Sequence, residues 1–65
     1  MNSNRLKQYR LEKGYTLTQV ALRLEMKCED RLSHWERGSA VPSLQNALKL
    51  ARLYEVSVHD LFPIL

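Results

Sequence analysis

Thr16-Leu17-Thr18-Gln19-Val20-Ala21-Leu22-Arg23-Leu24, then Glu25-Met26-Lys27, then Cys28-Glu29-Asp30-Arg31-Leu32-Ser33-His34-Trp35-Glu36-Arg37-Gly38: this stretch decides how the chain folds. Thr16 and Gln19 stand at the spacing of a capping box, in which the Thr hydroxyl takes a free N–H of the first helical turn and the Gln side chain reaches back. A short helix therefore opens at Thr16 and carries Val20, Ala21 and Leu24 on one face. Glu25-Met26-Lys27 breaks the apolar rhythm and predicts a turn. A second helix, predicted from Cys28 to Arg37, sends Leu32 and Trp35 inward and stops at Gly38. Small Ala21 lets the two helices approach, and Val20, Met26, Leu32 and Trp35 lock their angle.

Outward from this centre the pattern stays helical. From Asn4 to Lys13, Leu6, Tyr9 and Arg10 recur at helical spacing, Arg5, Lys7 and Lys13 face water, and Gly14 ends the run. After the loop Ser39-Ala40-Val41-Pro42, Ser43 is a natural N-cap for a helix to Tyr54, with Leu44, Ala47, Leu48, Ala51 and Tyr54 as its buried stripe. Ser57 caps a last short helix, Asp60 sits in its first turn, Leu61 and Phe62 pack back, and Pro63 ends it. No strand signal appears, so the predicted class is all-α, a bundle of five helices.

A chain of 65 residues is read as one small domain, 1–65, burying about 60% of the surface its unfolded form exposes. With 45% hydrophobic and 26% charged residues, its composition is that of a globular domain. No apolar run is long enough to span a membrane, and Met1-Asn2-Ser3-Asn4-Arg5 lacks the apolar stretch of a signal peptide. The lone cysteine, Cys28, forms neither an internal disulfide nor a zinc site by itself. These features point to the reducing cytoplasm. Ten Lys and Arg against seven Asp and Glu give a net charge of +3, which favours a polyanionic partner. The excess is uneven: residues 1–37 hold eight basic and five acidic side chains, residues 38–65 two of each.

Two short helices locked about a tight turn, the second standing proud of the surface, meet the physical requirement of a helix-turn-helix, spanning about residues 16–37. Here the chain resembles a known family over nearly its whole length. Arg5-Leu6-Lys7, Arg10, Gly14, Thr16, Ala21, Leu24, Ser33-His34-Trp35-Glu36-Arg37-Gly38, Pro42-Ser43-Leu44 and the tail Val56-Ser57-Val58-His59-Asp60-Leu61-Phe62 are similar to the phage Cro and C1-type repressors, the XRE-like helix-turn-helix proteins. The resemblance implies a compact five-helix bundle of the lambda-repressor-like DNA-binding type. It also implies binding of double-stranded DNA as a homodimer, and transcriptional regulation, as a repressor, in a bacterium, phage or mobile element.

The chain departs from the family in three places. Leu17 stands where the family carries a phosphate-holding Gln, so a contact there falls to backbone N–H groups or to Thr18. Ala21 to Glu36 is one residue longer than usual, the extra residue lying between Met26 and Leu32. Glu25 replaces the usual turn glycine.

Anchored on buried Leu32, the outward positions of the third helix are Glu29, Asp30, Ser33 and His34, flanked by Arg31 and Arg37. The resemblance puts Glu29, Asp30 and His34 in the base-facing slots. Side-chain chemistry favours Arg31, Ser33 and His34 instead, because the Arg31 fork suits guanine O6 and N7 whereas a carboxylate also repels phosphates. In that reading the two acids orient Arg31 or Lys27, or exclude wrong sites. Phosphate contacts are expected from Thr16 and Thr18 on one side and Arg37, Ser39 and Ser43 on the other, with Arg23 and Lys27 near enough to help. The resemblance further implies a buried salt bridge between Arg10 and Glu36. Val58, Leu61, Ile64 and Leu65 are the expected symmetric contact of a dimer that forms on DNA or before it.

Trp35 is three residues from Leu32, which favours core packing over base stacking. His34 and His59 lack a metal-ligand partner, and Ser33-His34 are helix neighbours that do not face each other. No nucleophile–base pair, metal set or phosphate loop can be drawn, so neither an enzyme nor a cofactor is expected. Two other readings stay open. One is an antitoxin or accessory factor whose main partner is a toxin or other protein. The other is an interaction module without DNA binding, suggested by Leu17 and the Glu29-Asp30 pair.

Overall fold

The computed structural model describes residues 4–63. Among them the regular elements are all helical, in the order α1 (Leu6–Glu12), α2 (Leu17–Arg23), α3 (Asp30–Arg37), α4 (Leu44–Tyr54) and α5 (Val58–Leu61). The all-α, five-helix class read from the sequence is thus the observed one. No described helix is long and apolar enough to cross a membrane.

Both α1 and α2 pack on α3, and α4 packs on α5. Leu6, Val20, Leu32, Leu50, Tyr54 and Leu61 are the largest fully buried side chains, so every helix contributes to one core. Ala21, also buried, keeps the α2 side of that core short enough for close approach to α3. Trp35 closes the core beneath α3 at 4% exposure, which excludes base stacking by its ring.

The first helix is shorter than the predicted Asn4–Lys13, and its start is held from outside. Asn4 Oδ1 accepts from the Leu6 N–H at 3.1 Å, while Asn4 Nδ2 donates to the Trp35 carbonyl at 2.7 Å. One Asn thus caps α1 and ties it to α3. The Arg5 N–H donates to the Leu61 carbonyl at 2.9 Å, which fastens the chain's entry to α5.

Helix α4 is rotated relative to the predicted stripe. Ala47, Leu50, Ala51 and Tyr54 are buried, whereas Leu44 is 73% exposed and Leu48 50% exposed. Residues 44, 47, 48, 51 and residues 47, 50, 51, 54 have the same helical spacing, and the two faces differ by only about 60° around the axis. Burial of Leu50 and Tyr54 over Leu44 selects the second. The Ser43 side chain caps α4 by accepting from the Asn46 N–H at 3.3 Å.

Ser57 and Asp60 form a reciprocal capping box on α5. The Ser57 hydroxyl accepts from the Asp60 N–H at 3.0 Å, and the Asp60 carboxylate accepts from the Ser57 N–H at 3.1 Å. Those bonds from Ser57 lower the Asp60 pKa below its ordinary carboxylate value. A carboxylate whose folded pKa is depressed adds stability above its unfolded pKa and loses it as pH falls through the folded one. Asp60→Asn is therefore expected to unfold at lower temperature than the parent near neutral pH. The two melting temperatures should converge once the carboxylate is protonated, and a gap that persists in acid would contradict this.

Glu25 has φ 59°, the left-handed region, at the turn between α2 and α3 where the sequence lacks a glycine. A side chain there crowds the following carbonyl, at a cost of about 1–2 kcal/mol. Part of that is offset by the extra freedom glycine would have when unfolded. Glu25→Gly is expected to stabilise the fold by about 1 kcal/mol in urea unfolding. A loss of stability would mean that the Glu25 side chain holds the turn.

Candidate nucleic-acid interface

Helix α2 opens at Thr16, whose backbone is extended and whose hydroxyl accepts from the Gln19 N–H at 3.1 Å. Gln19 Oε1 accepts in turn from the Thr16 N–H at 2.9 Å, completing the box. The exposed Thr16 hydroxyl still has its own proton to give, as does that of Ser43 at the start of α4. Thr18 differs. Its hydroxyl donates to the Glu29 carboxylate, so that proton is not free for a phosphate while the contact holds. The same contact explains why α3 starts at Asp30 and not at the predicted Cys28. Glu29 occupies the N-cap but makes no side-chain cap bond, its carboxylate being turned to α2.

Within α3, Leu32, Trp35 and Glu36 are buried. With about 100° between successive residues, the opposite face carries Asp30, His34 and Arg37, all exposed. Ser33 and Arg31 fall on the two flanks. Ser33, half-buried, lines a shallow hollow of about 500 Å³ with Lys7, Arg10, Leu17, Glu36 and Arg37, between α1, the start of α2 and α3. Arg31 lies on the other side, by Cys28 and Asn46. The outward line therefore holds Arg37, which the sequence reading had put with the phosphate contacts. Arg31, the expected base reader, is lateral.

His34, Arg37 and Ser39 form a cluster at the end of α3. Arg37 Nη2 lies 3.2 Å from His34 Nδ1, and the Ser39 hydroxyl lies 3.0 Å from the same nitrogen. The Arg37 guanidinium only donates, so its contact with Nδ1 is a hydrogen bond in the tautomer that leaves Nδ1 unprotonated. Gly38, at φ 80°, turns the chain so that the Ser39 N–H and hydroxyl both reach the His34 carbonyl, at 3.0 and 3.2 Å. No pattern of residue types marks this cluster or the Thr18–Glu29 contact, since both depend on side-chain directions across a turn.

Beneath the face lies an ion pair. Arg10 Nε is 2.7 Å from Glu36 Oε2 and Nη2 is 3.3 Å from Oε1, with both side chains about nine-tenths or more buried. Arg10 Nη1 also donates to the Tyr15 carbonyl at 2.9 Å, tying α1 to the residue before the α2 cap.

Two groups of expected contacts fall elsewhere. Arg23 lies at the far end of α2 from Thr16, with its guanidinium 4.9 Å over the Tyr15 ring. Leu61, expected in a dimer contact, is fully buried because α5 turns it into the core beneath α1. Val58 is half-buried against that core, and Ile64 and Leu65 lie outside the described residues. Lys27 is exposed beside Cys28, Glu29 and Asp30. No group of His, Cys, Asp and Glu among the described residues could hold a metal ion.

Comparison with known proteins places this geometry. Residues 6–61 match the helix-turn-helix family. The chain belongs to that family, in its Cro/C1-type branch. Within it, the chain is 40% identical over 62 residues to the HTH-type transcriptional regulator SinR of Bacillus subtilis, and equally to that of Bacillus licheniformis. The alignment takes in 94% of this chain and 55% of each regulator, so the chain spans about half the length of the curated relatives it matches. A solved structure, the N-terminal DNA binding domain of SinR from Bacillus subtilis, superposes with a TM-score of 0.74 at 41% identity, over 85% of this chain and 80% of that one. In this helix-turn-helix chain, α2 and α3 are the paired helices and α3 is the one with the exposed polar face.

Proposed function

We propose that residues 1–65 act as one sequence-specific DNA-binding domain of a transcriptional regulator, a repressor of the cytoplasm. In this reading α3 enters the major groove of duplex DNA. One observation carries the reading: the outer face of α3 is exposed and polar, and it is bordered by the start of α2, in a fold shared with a known DNA binding domain. The His34 ring and the Arg37 fork contact base edges, Asp30 supplies an acceptor for cytosine N4, and Ser33 a contact from the flank. Thr16 and Ser43 hold phosphates, with Lys7 and Lys27 adding charge. Glu29 sets the α2–α3 geometry through Thr18 and leaves Asp30 as the outward acid. One such domain covers few base pairs, so two copies on a two-fold site, with recognition helices about 34 Å apart, give useful specificity.

Selection of bound duplexes from a random pool tests the reading as a whole. A palindromic consensus is expected, and no enrichment above background would reject it. The assignment of α3 has its own test. Arg37→Ala is expected to relax base choice at one position and to cost about 1–3 kcal/mol on the selected site. Arg31→Ala should weaken all sequences similarly and less. Titration of both variants against the consensus and single-base changes checks this, and the reverse pattern would move the base-reading face to Arg31.

A further inference from the structure

The last two helices carry only two basic residues, Lys49 and Arg52, and both are drawn to one place. They stand on α4 beside Arg23 and Glu25 of the α2 end, around a shallow pocket of about 300 Å³ whose apolar walls are Leu24 and Leu53. Neither Lys49 nor Arg52 has an ion-pair partner among the described residues, and Glu25 does not neutralise them by contact. The Tyr15 ring, under the Arg23 guanidinium, holds the third cation at the rim. Three cations and one carboxylate thus surround an apolar floor.

This pocket lies toward the C-terminal ends of α2 and α4, away from their starts at Thr16 and Ser43. Arg23 lies about 10 Å further along α2, and Arg52 about 13 Å further along α4. A phosphate backbone needs charge without an apolar floor, whereas the combination here suits a protein segment that offers both.

We infer that the Arg23–Lys49–Arg52 pocket is a docking site for an acidic segment of a partner protein, one apolar side chain seated on Leu24 and Leu53 between carboxylates that face the three cations. The site is separate from the duplex face, so such a partner and DNA can be held together.

A short peptide with one leucine flanked by Asp and Glu on both sides is the probe, read by amide and methyl NMR shifts at roughly millimolar peptide. Shifts confined to the pocket residues are expected, along with at least an about tenfold loss of peptide affinity in K49E/R52E. Glu25→Gln, which removes the opposing carboxylate, should tighten peptide binding. Affinity of K49E/R52E for its selected duplex should stay within about twofold of the parent, apart from a uniform loss from net charge that added salt removes. Absence of pocket shifts, or equal shifts with a leucine peptide flanked by lysines, would overturn the inference. So would a duplex affinity that collapses in K49E/R52E at every salt concentration, since the pocket would then be a DNA contact. The duplex arm keeps this outcome distinct from failure of the chain to bind DNA at all, which the parent titration reads.

Discussion

Arg10→Met is expected to destabilise the fold by about 3–5 kcal/mol. The reason is what it leaves behind. Glu36 is 6% exposed and lies in the wall of the core beside Trp35, so without the Arg10 fork its charge stays in a poorly solvated site. Arg10 also holds the Tyr15 carbonyl, and that acceptor would lose a charged donor. In a small domain whose total stability is on the order of 5 kcal/mol, such a loss is close to unfolding it. The double variant R10M/E36L separates two meanings of the result. Replacing both charges by apolar groups of similar volume is expected to recover most of the stability, because the net worth of a buried pair is small once neither charge is stranded. Urea unfolding of the two variants and the parent measures this. A mild loss in Arg10→Met, within about 1 kcal/mol, would mean that water reaches Glu36. Failure of the double variant to recover would mean that the pair orients α1 on α3 beyond its charge.

Much of the architecture is legible in residues whose local chemistry has few outlets. Thr16 with Gln19, Ser43 before an apolar run, and Ser57 with Asp60 each mark a helix start, because a small hydroxyl side chain there satisfies an N–H that nothing else can reach. Gly38 marks the end of α3 for the converse reason, since only a left-handed residue closes that helix cheaply. What stayed hidden lies one level up. The choice between Leu44 and Leu50 for burial is made by what α4 packs against, and the helical period is the same either way. By sequence Leu61 suits both packing back with Phe62 and a dimer contact; its complete burial leaves only the first role.

The candidate site divides similarly. Exposure of Asp30, His34 and Arg37 follows from the period once Leu32 and Trp35 are fixed as buried, but the extra residue between Met26 and Leu32 blurred where the period begins. In the structure α3 begins at Asp30, and in the segment before it Glu29 reaches Thr18. A carboxylate that looked like a base contact in sequence is thereby an internal brace. No pattern of residue types predicts this, because the Thr18–Glu29 contact depends on the path of the turn.

Duplex affinity should carry the second large effect, through salt. If Thr16 and Ser43 hold phosphates through their hydroxyls while Lys7, Lys27 and Arg37 bring the charge, about three phosphates are neutralised per half-site. Each neutralised phosphate releases condensed counterion, so log affinity falls by roughly 0.9 per contact for each tenfold rise in salt. From about 50 to 200 mM salt, that predicts a drop of about fortyfold for one half-site, and more for a paired site. The acids modify the outcome in a direction the structure supports. Glu29 is tied to Thr18, but Asp30 is exposed on the outer line of α3 and repels the backbone of any duplex that does not offer it a donor. Asp30→Asn is therefore expected to raise affinity for random duplex more than for the selected site, with little change in the salt slope. Fluorescence anisotropy on both duplexes across a salt series reads all three quantities. A slope near zero would remove the phosphate contacts and with them the major-groove assignment. Equal gains on both duplexes would show that Asp30 acts by charge alone and reads no base.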